Sequence, residues 1–509
     1  MEPAPDTCNT YRAPSPGTGA GLFASRDLAP GEVVLSIARP LLVIPDSARL
    51  KETCSNCFAW LPRSAIGSRG HHLDDVTLKT CTGCRVVGYC SKDCQTQAWK
   101  SHHKHECKLF ARLHPNVLPT AVRGVIQLLL LQKKGLSGEW WAAFEKLQDH
   151  TYDFRRAGGE KWENLILMSK GAQMYSGTDM SEAHVQAMMG RILTNSLTLV
   201  TPTFDPIGIC VDPLAASINH SCDYNSVVTF DGPCLYVRTL RPLAKDEEVS
   251  ISYIDCTNPF ARRQSDLKDR YFFTCTCAKC KKGTSGKEDA ILTPAPDEED
   301  SDSEPDVGPD SALVRATEAA GFSTLESAKH VLDNEELHFR LASGLRLFSG
   351  SSSFWPIYRQ PWPSIRQQYA IACISTGNWT QALGHMLFIY FYIDPVLFPQ
   401  SFHPVRVVHN WTLAILILHV AGLSVEQPDQ VDELKAFEID YGKVVWGLLR
   451  EVEGNMGKSH GEVSAFARMV RGKSNEVRVD MSRGDGKSVG DQDLEPEWKK
   501  LRAVAARLA

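Results

Sequence analysis

Apolar positions along the 509-residue chain change period several times, and each change marks a different kind of element. Leu22-Phe23-Ala24 follows the glycine turn Gly17-Thr18-Gly19-Ala20-Gly21, and Val33-Val34-Leu35-Ser36-Ile37 follows Pro30-Gly31. Short apolar runs punctuated in this way predict strands and turns over residues 11–45. From about 108 to 195 the spacing becomes helical, as in Val125 to Leu131 and Ala183 to Leu197. β-like runs return at Ser226 to Phe230, Leu235 to Leu240 and Val249 to Tyr253. Further on, helical spacing resumes over 325–349, 364–377, 379–393, 405–422 and 429–452, with Gly or Pro at most joins. Paired helices of this length suggest a helical repeat, although no strict period is found.

Composition adjusts this picture in few places. The chain is long enough for roughly two to four domains. Hydrophobic residues make up 43% and charged residues 23%, and the net charge is −5, so no overall pull towards nucleic acid or anionic membrane is expected. Met1 to Arg12 has no basic region followed by an apolar run, so no secretory signal is expected. The longest apolar stretches, such as Trp411 to Leu423, are too short to span a bilayer and suggest buried helices. Between Lys282 and Ala312 the composition shifts, and Asp297 to Asp310 holds eight acidic residues and no basic one. Such a segment buries too little apolar surface to order itself, so a disordered linker is expected there. Residues 454–490 are rich in Gly and Ser and are expected to be mobile, with one more helix in the last dozen residues.

The 16 cysteines are clustered: seven lie between Cys54 and Cys107, and three lie at Cys275, Cys277 and Cys280. Clustered pairs in a chain without a secretory signal favour zinc over disulfides. Cys54, Cys57, Cys81, Cys84, Cys90, Cys94, His103 and Cys107 supply the eight ligands that two tetrahedral sites require. His103 lies one helical turn before Cys107, on the same face. His102 and His105 crowd the same pair, and His102 stays open as the ligand.

Tyr89-Cys90-Ser91-Lys92-Asp93-Cys94-Gln95, then Trp99 and His103-Lys104-His105-Glu106-Cys107, resemble a MYND zinc finger. The resemblance implies a cross-brace, with Cys54, Cys57, Cys90 and Cys94 on one zinc and Cys81, Cys84, His103 and Cys107 on the other. It departs in a long gap before Cys81 and one extra residue before His103. MYND fingers are mostly peptide-binding modules, often for proline-rich segments. The surplus of Lys and Arg from Lys79 to Lys108 is compatible with nucleic acid, though a solvated basic face is the commoner cause.

Three further pieces resemble a SET domain: Gly17 to Phe23; Asn219-His220-Ser221-Cys222 with Glu247-Glu248-Val249-Ser250-Ile251-Ser252-Tyr253; and Tyr271-Phe272-Phe273-Thr274-Cys275 through Cys280. A SET domain split by a MYND finger and continued by helices is the SMYD arrangement, and the resemblance covers about residues 10–282 well. It implies an α+β fold: N-terminal SET over 10–50, MYND over 54–107, a helical insert over 108–195, core SET over 196–256 and a post-SET zinc segment over 257–282. An acidic linker over 283–312, a helical TPR-like domain over 313–453 and a mobile tail over 454–509 complete the expected division.

The activity so implied is methyl transfer from S-adenosylmethionine to a protein lysine, on histones or other proteins. The family places Tyr253 beside the transferring methyl. Gly19, Ala20, Gly21, Asn219, His220 and Phe273 match its cofactor-binding residues, and Asn195, Ser196 and Phe273 its substrate channel. Some members carry a polar or basic residue where this chain has Ala20. A third zinc would be held by Cys222, Cys275, Cys277 and Cys280. The expected protein is a monomer in cytoplasm or nucleus, off the membrane. Its competitor is an idle SET and MYND adaptor that binds protein partners.

Overall fold

The computed structural model describes residues 6–61, 76–136, 138–292, 311–349, 354–482 and 491–509. The acidic run Asp297 to Asp310 and its expected disorder lie outside the described residues. Helices and strands are mixed, and the chain divides into two compact units. The first is built on residues up to Tyr253 together with Leu267–Thr274, and the second on Ile254–Asp266 and Cys275–Ala509.

In the first unit, Thr7–Cys8, Val33–Ile37, Cys234–Thr239 and Ser226–Asp231 form an antiparallel sheet in that order. Leu42–Pro45, Pro206–Val211 and Leu197–Val200 form another. Thr10–Ser15 and Gly19–Ala24 make a hairpin whose turn carries Gly17 and Gly19 at φ +82° and +87°, a conformation that favours glycine. Asn219–His220 pairs in parallel with Ser250–Ile251, so two distant motifs meet on one short ladder. Leu22, Val34, Leu35, Leu235 and Val237 bury their side chains between these strands.

The insert is helical as the spacing predicts, over Lys104–Leu113, Thr120–Lys133, Gly138–Glu145, Thr151–Ala157, Gly159–Ser176 and Glu182–Asn195. A second core gathers Val125, Ile126, Leu128, Val185, Met188 and Met189 with Leu42 and Ile44 of the sheet. Cys54, Cys81, Cys84 and Cys107 belong to this core as well. The cysteine-rich block therefore shares its interior with the helical insert.

The second unit is mostly helical, and three expectations need correction there. A single helix over 325–349 is two, Ala312–Ala328 and Asn334–Ser349, because Asp333 accepts from the Glu336 N–H at 2.8 Å and restarts the chain. The helix expected over 429–452 breaks likewise; Glu438 stands at φ +48°, and Asp440 caps Tyr441–Ser459 by accepting from the Lys443 N–H. The stretch expected to be a mobile tail forms the helix Ala465–Ser482 and buries Phe466, Ala467 and Val470 completely. These three lie on one helical face, and the glycines and serines around them masked that pattern. Pro404–Glu426 is long and apolar enough to cross a membrane by length and composition, with 67% of its apolar window buried inside the protein. A core helix has that character, since Leu413, Ala414, Leu416 and Ile417 are fully covered.

Candidate active site and zinc centres

The eight predicted ligands of the cysteine-rich block fall into two sets, Cys54, Cys57, Cys90 and Cys94, and Cys81, Cys84, His103 and Cys107. Within each set the ligand atoms lie within 4.8 Å of one another. A zinc tetrahedron with bonds of about 2.3 Å has edges of about 3.8 Å. Cys57 to Cys90 and Cys90 to Cys94 are both 3.5 Å, Cys81 to Cys107 is 3.9 Å, and Cys84 Sγ to His103 Nε2 is 3.7 Å. The donor sets and spacings therefore fit two closed zinc sites, with the interleaved pairing.

The choice between the histidines is decided by geometry. His103 is fully buried, with Nε2 among the thiols and Nδ1 at 3.2 Å from the Glu106 carboxylate. His102 stands outside the set, its Nδ1 beside the Ser101 hydroxyl. Glu106, itself 5% exposed, was missed as a functional residue. A carboxylate on the far nitrogen of a metal-binding imidazole fixes its tautomer and direction, and its place three residues after His103 was the available signal. The Cys54 sulfur accepts from the Cys57 thiol and from main-chain N–H groups, which lowers its pKa to about 5 and favours the thiolate that a metal needs.

The SET motifs build a second site. At the parallel ladder, the Tyr253 N–H donates to His220 Nδ1 at 3.0 Å. That bond makes Nδ1 the acceptor and so assigns the ring proton of a neutral His220 to Nε2, which faces Cys222 Sγ at 3.3 Å. The Tyr253 hydroxyl donates to the Ile218 carbonyl at 2.5 Å. Burial, then the neighbouring Tyr271 and Glu248, raises the pKa of this phenol well above its ordinary value, so it stays protonated. Ring centroids of His220, Tyr271 and Phe273 lie 5.3, 5.0 and 6.5 Å from that of Tyr253. The result is an aromatic enclosure around one hydroxyl.

Phe272, to which the resemblance gives no role, borders this enclosure. Its backbone is left-handed at φ +62°, an uncommon state for a bulky residue. Its ring packs at 4.9 Å from Phe154 and 5.4 Å from His150, on the helical insert. Tyr271 and Phe273, on either side of it in the chain, are left to meet Tyr253.

Asn219 turns its amide Nδ2 to Thr18 Oγ1, the Ala20 carbonyl and Glu248 Oε1, at 2.9, 3.1 and 2.7 Å. It therefore joins the glycine hairpin to the ladder. Asn195 and Ser196 are committed differently. Asn195 Nδ2 donates to the carbonyls of Gln148 and Arg191, both at 2.9 Å, and Ser196 donates to the Ile192 carbonyl. Both side chains thus tie the end of Glu182–Asn195 to its surroundings. Cys275, Cys277 and Cys280 bring their sulfurs within 4.8 Å of one another in the second unit, one ligand short of a closed zinc site. Cys222 is buried in the first unit.

The SET domain family model matches residues 19–254, the stretch that carries most of the strands and much of the site described above. Among the proteins the chain resembles are SET and MYND domain proteins. It is 33% identical over 274 residues to SET domain and MYND-type zinc finger protein 6 of Schizosaccharomyces pombe, covering 54% of this chain and 52% of that one. Histone-lysine N-methyltransferase ASHR1 of Arabidopsis thaliana is 29% identical, covering 54% and 56%. N-lysine methyltransferase SMYD2-B of Xenopus laevis is 30% identical, covering 55% and 62%. The chain thus spans rather more than half the length of the curated relatives it matches.

Proposed function

We propose that this protein is an S-adenosylmethionine-dependent protein-lysine N-methyltransferase. The observation that carries the proposal is the Tyr253 hydroxyl, held by the Ile218 carbonyl and walled by His220, Tyr271 and Phe273. The names of the methyltransferase relatives support the same reading. The hairpin suits the cofactor, because a Cβ added at Gly17 or Gly19 would meet no atom within 4 Å, so the main chain is open to close approach. S-adenosylmethionine would supply an electrophilic methyl on a sulfonium, to be taken in line by an amine lone pair.

The chain's own residues would then do the positioning. The Tyr253 proton is committed to Ile218, so the oxygen presents lone pairs that can accept from a lysine N–H and turn the nitrogen lone pair towards the methyl. A phenol with so raised a pKa is no base, so the lysine ammonium must lose its proton to water before attack. The neutral amine then takes the methyl as the sulfur–methyl bond breaks, and the product is a methylated ammonium. The aromatic walls favour the neutral amine over the ammonium by desolvation, and they tolerate a methylated cation through their π faces.

Three zinc ions belong to the proposal. Two would sit in the MYND sets, and the third would be held by Cys275, Cys277 and Cys280, whose three thiolates leave the tetrahedron one ligand short; the family resemblance alone gives that place to Cys222. Peptide binding by the MYND finger, a monomeric state and residence in cytoplasm or nucleus are carried from the family resemblance. Incubating the purified protein with methyl-labelled S-adenosylmethionine and a cell lysate tests the activity. Labelled protein bands, lost in Tyr253→Phe, are expected. Partner capture without any label would leave the adaptor reading.

A further inference from the structure

Glu248 lies five residues before Tyr253, and the family resemblance gives it no role. Its carboxylate is clamped at both oxygens: Oε1 accepts from Asn219 Nδ2 at 2.7 Å, and Oε2 accepts from the Ser15 hydroxyl at 3.0 Å. It thus binds the first strand of the glycine hairpin to the residue that reaches across from the ladder. Room for it comes from Gly21. A Cβ there would stand 2.2 Å from Glu248 Oε1 and 2.9 Å from Asn219 Nδ2, far inside contact distance. Gly21 is not in the left-handed region, so the missing side chain itself is what this position needs. The glycine expected to admit the cofactor therefore admits a carboxylate.

The consequence falls on Asn219. An asparagine amide can face either way unless its partners choose, and here all three partners of the NH₂ group are acceptors. Thr18 and Ala20 belong to the turn, so Glu248 supplies the only charged acceptor and the shortest of the three bonds. With the NH₂ so held, Asn219 Oδ1 remains the acceptor end of the amide, the atom that suits an ammonium group.

We propose that Glu248 is a positioning residue for the cofactor site, acting through Asn219: it sets the amide so that Oδ1 can receive the α-ammonium of the cofactor's methionine part. The inference rests on the S-adenosylmethionine reading. The same carboxylate, bonded to Ser15, keeps the hairpin and the ladder in one register.

Calorimetry with S-adenosylhomocysteine tests it, because that ligand keeps the ammonium and reports binding without turnover. Wild type, Glu248→Gln, Glu248→Ala, Asn219→Ala and the double variant Asn219→Ala/Glu248→Ala are compared. Glu248→Gln keeps an oxygen for Asn219 and is expected within about threefold of wild type. Glu248→Ala is expected to bind about tenfold or more weakly, the size of one hydrogen bond to a charged group. The double variant is expected to bind no more weakly than Asn219→Ala alone, since Glu248 acts through that residue. Thermal melts of each variant separate lost binding from lost folding. Wild-type affinity in a folded Glu248→Ala, or losses that add in the double variant, overturns the role of Glu248. A wild-type protein that binds no S-adenosylhomocysteine overturns the functional reading instead.

Discussion

The core around Val125, Ile126, Met188 and Met189 takes in Cys54, Cys81, Cys84 and Cys107, whereas the core around Leu22, Leu35, Leu235 and Val237 holds none of the MYND ligands. Both lie in the first unit and both are apolar. They differ in what specifies them. The β core is closed by strand pairing, including the antiparallel ladder of Ser226–Asp231 with Cys234–Thr239. The helical core has one wall made of a short, loop-rich block, and the proposed zinc ions would supply what so little secondary structure cannot. Tyr253 packs against the β core and Phe272 against the helical one, so the candidate active site is assembled where the two cores meet.

This contrast predicts unequal responses. The largest is expected from Cys81→Ser, or from zinc removal by a strong chelator. A structural zinc contributes on the order of 10 kcal/mol to the segment it holds, and Cys81 is shared with the insert's core. Hydrogen exchange should then show lost protection in Thr120–Lys133 and Glu182–Asn195, with Ser226–Asp231 still protected. A finger that melts by itself while the insert keeps its protection would separate the two and break the comparison. Tyr253→Phe comes next, with turnover down on the order of 10²–10³-fold as for the loss of one positioned polar group. Its S-adenosylhomocysteine affinity should be unchanged, and a variant that loses the cofactor instead would assign Tyr253 to binding.

Leu235→Ala probes the other core. Leu235 is fully buried, and the truncation should cost about 2–5 kcal/mol in denaturant melts. Metal analysis of this variant should give the wild-type zinc content, and missing zinc would mean that the β core supports the metal block after all. The smallest effect is expected from Glu106→Gln, which keeps the shape but loses the charge facing His103 Nδ1. Zinc affinity should fall by about 10–100-fold in a chelator competition. An unchanged affinity would leave Glu106 as packing only.

Parts of this were legible before any coordinates. The eight side chains that gather in two sets were legible from spacing, because each pair is local and a metal wants a fixed number of donors. The meeting of Asn219-His220 with Val249 to Tyr253 was implied by resemblance, and the parallel pairing of Asn219–His220 with Ser250–Ile251 supplies its physical form. Helix breaks at 329–333 and 436–440 were not legible, since capping by Asp333 and Asp440 competes with a continuous apolar pattern. The helix Ala465–Ser482 was hidden for the opposite reason: its buried face is narrow, and tertiary packing outweighs weak local propensity.

What the amino-acid order determined by itself is the inventory: strands by run length, helices by period, candidate zinc ligands by spacing, and the candidate tyrosine, asparagine and histidine of the site by motif. All of these depend on residues close together in the chain. Only the tertiary structure decided which histidine faces the thiols, that Gly21 makes room for Glu248, and that a left-handed Phe272 leaves Tyr271 and Phe273 to Tyr253. Some of those are contacts between segments more than two hundred residues apart, as with Asn219 and Thr18. Their partners are selected by shape and by the satisfaction of buried polar groups, which no local pattern encodes.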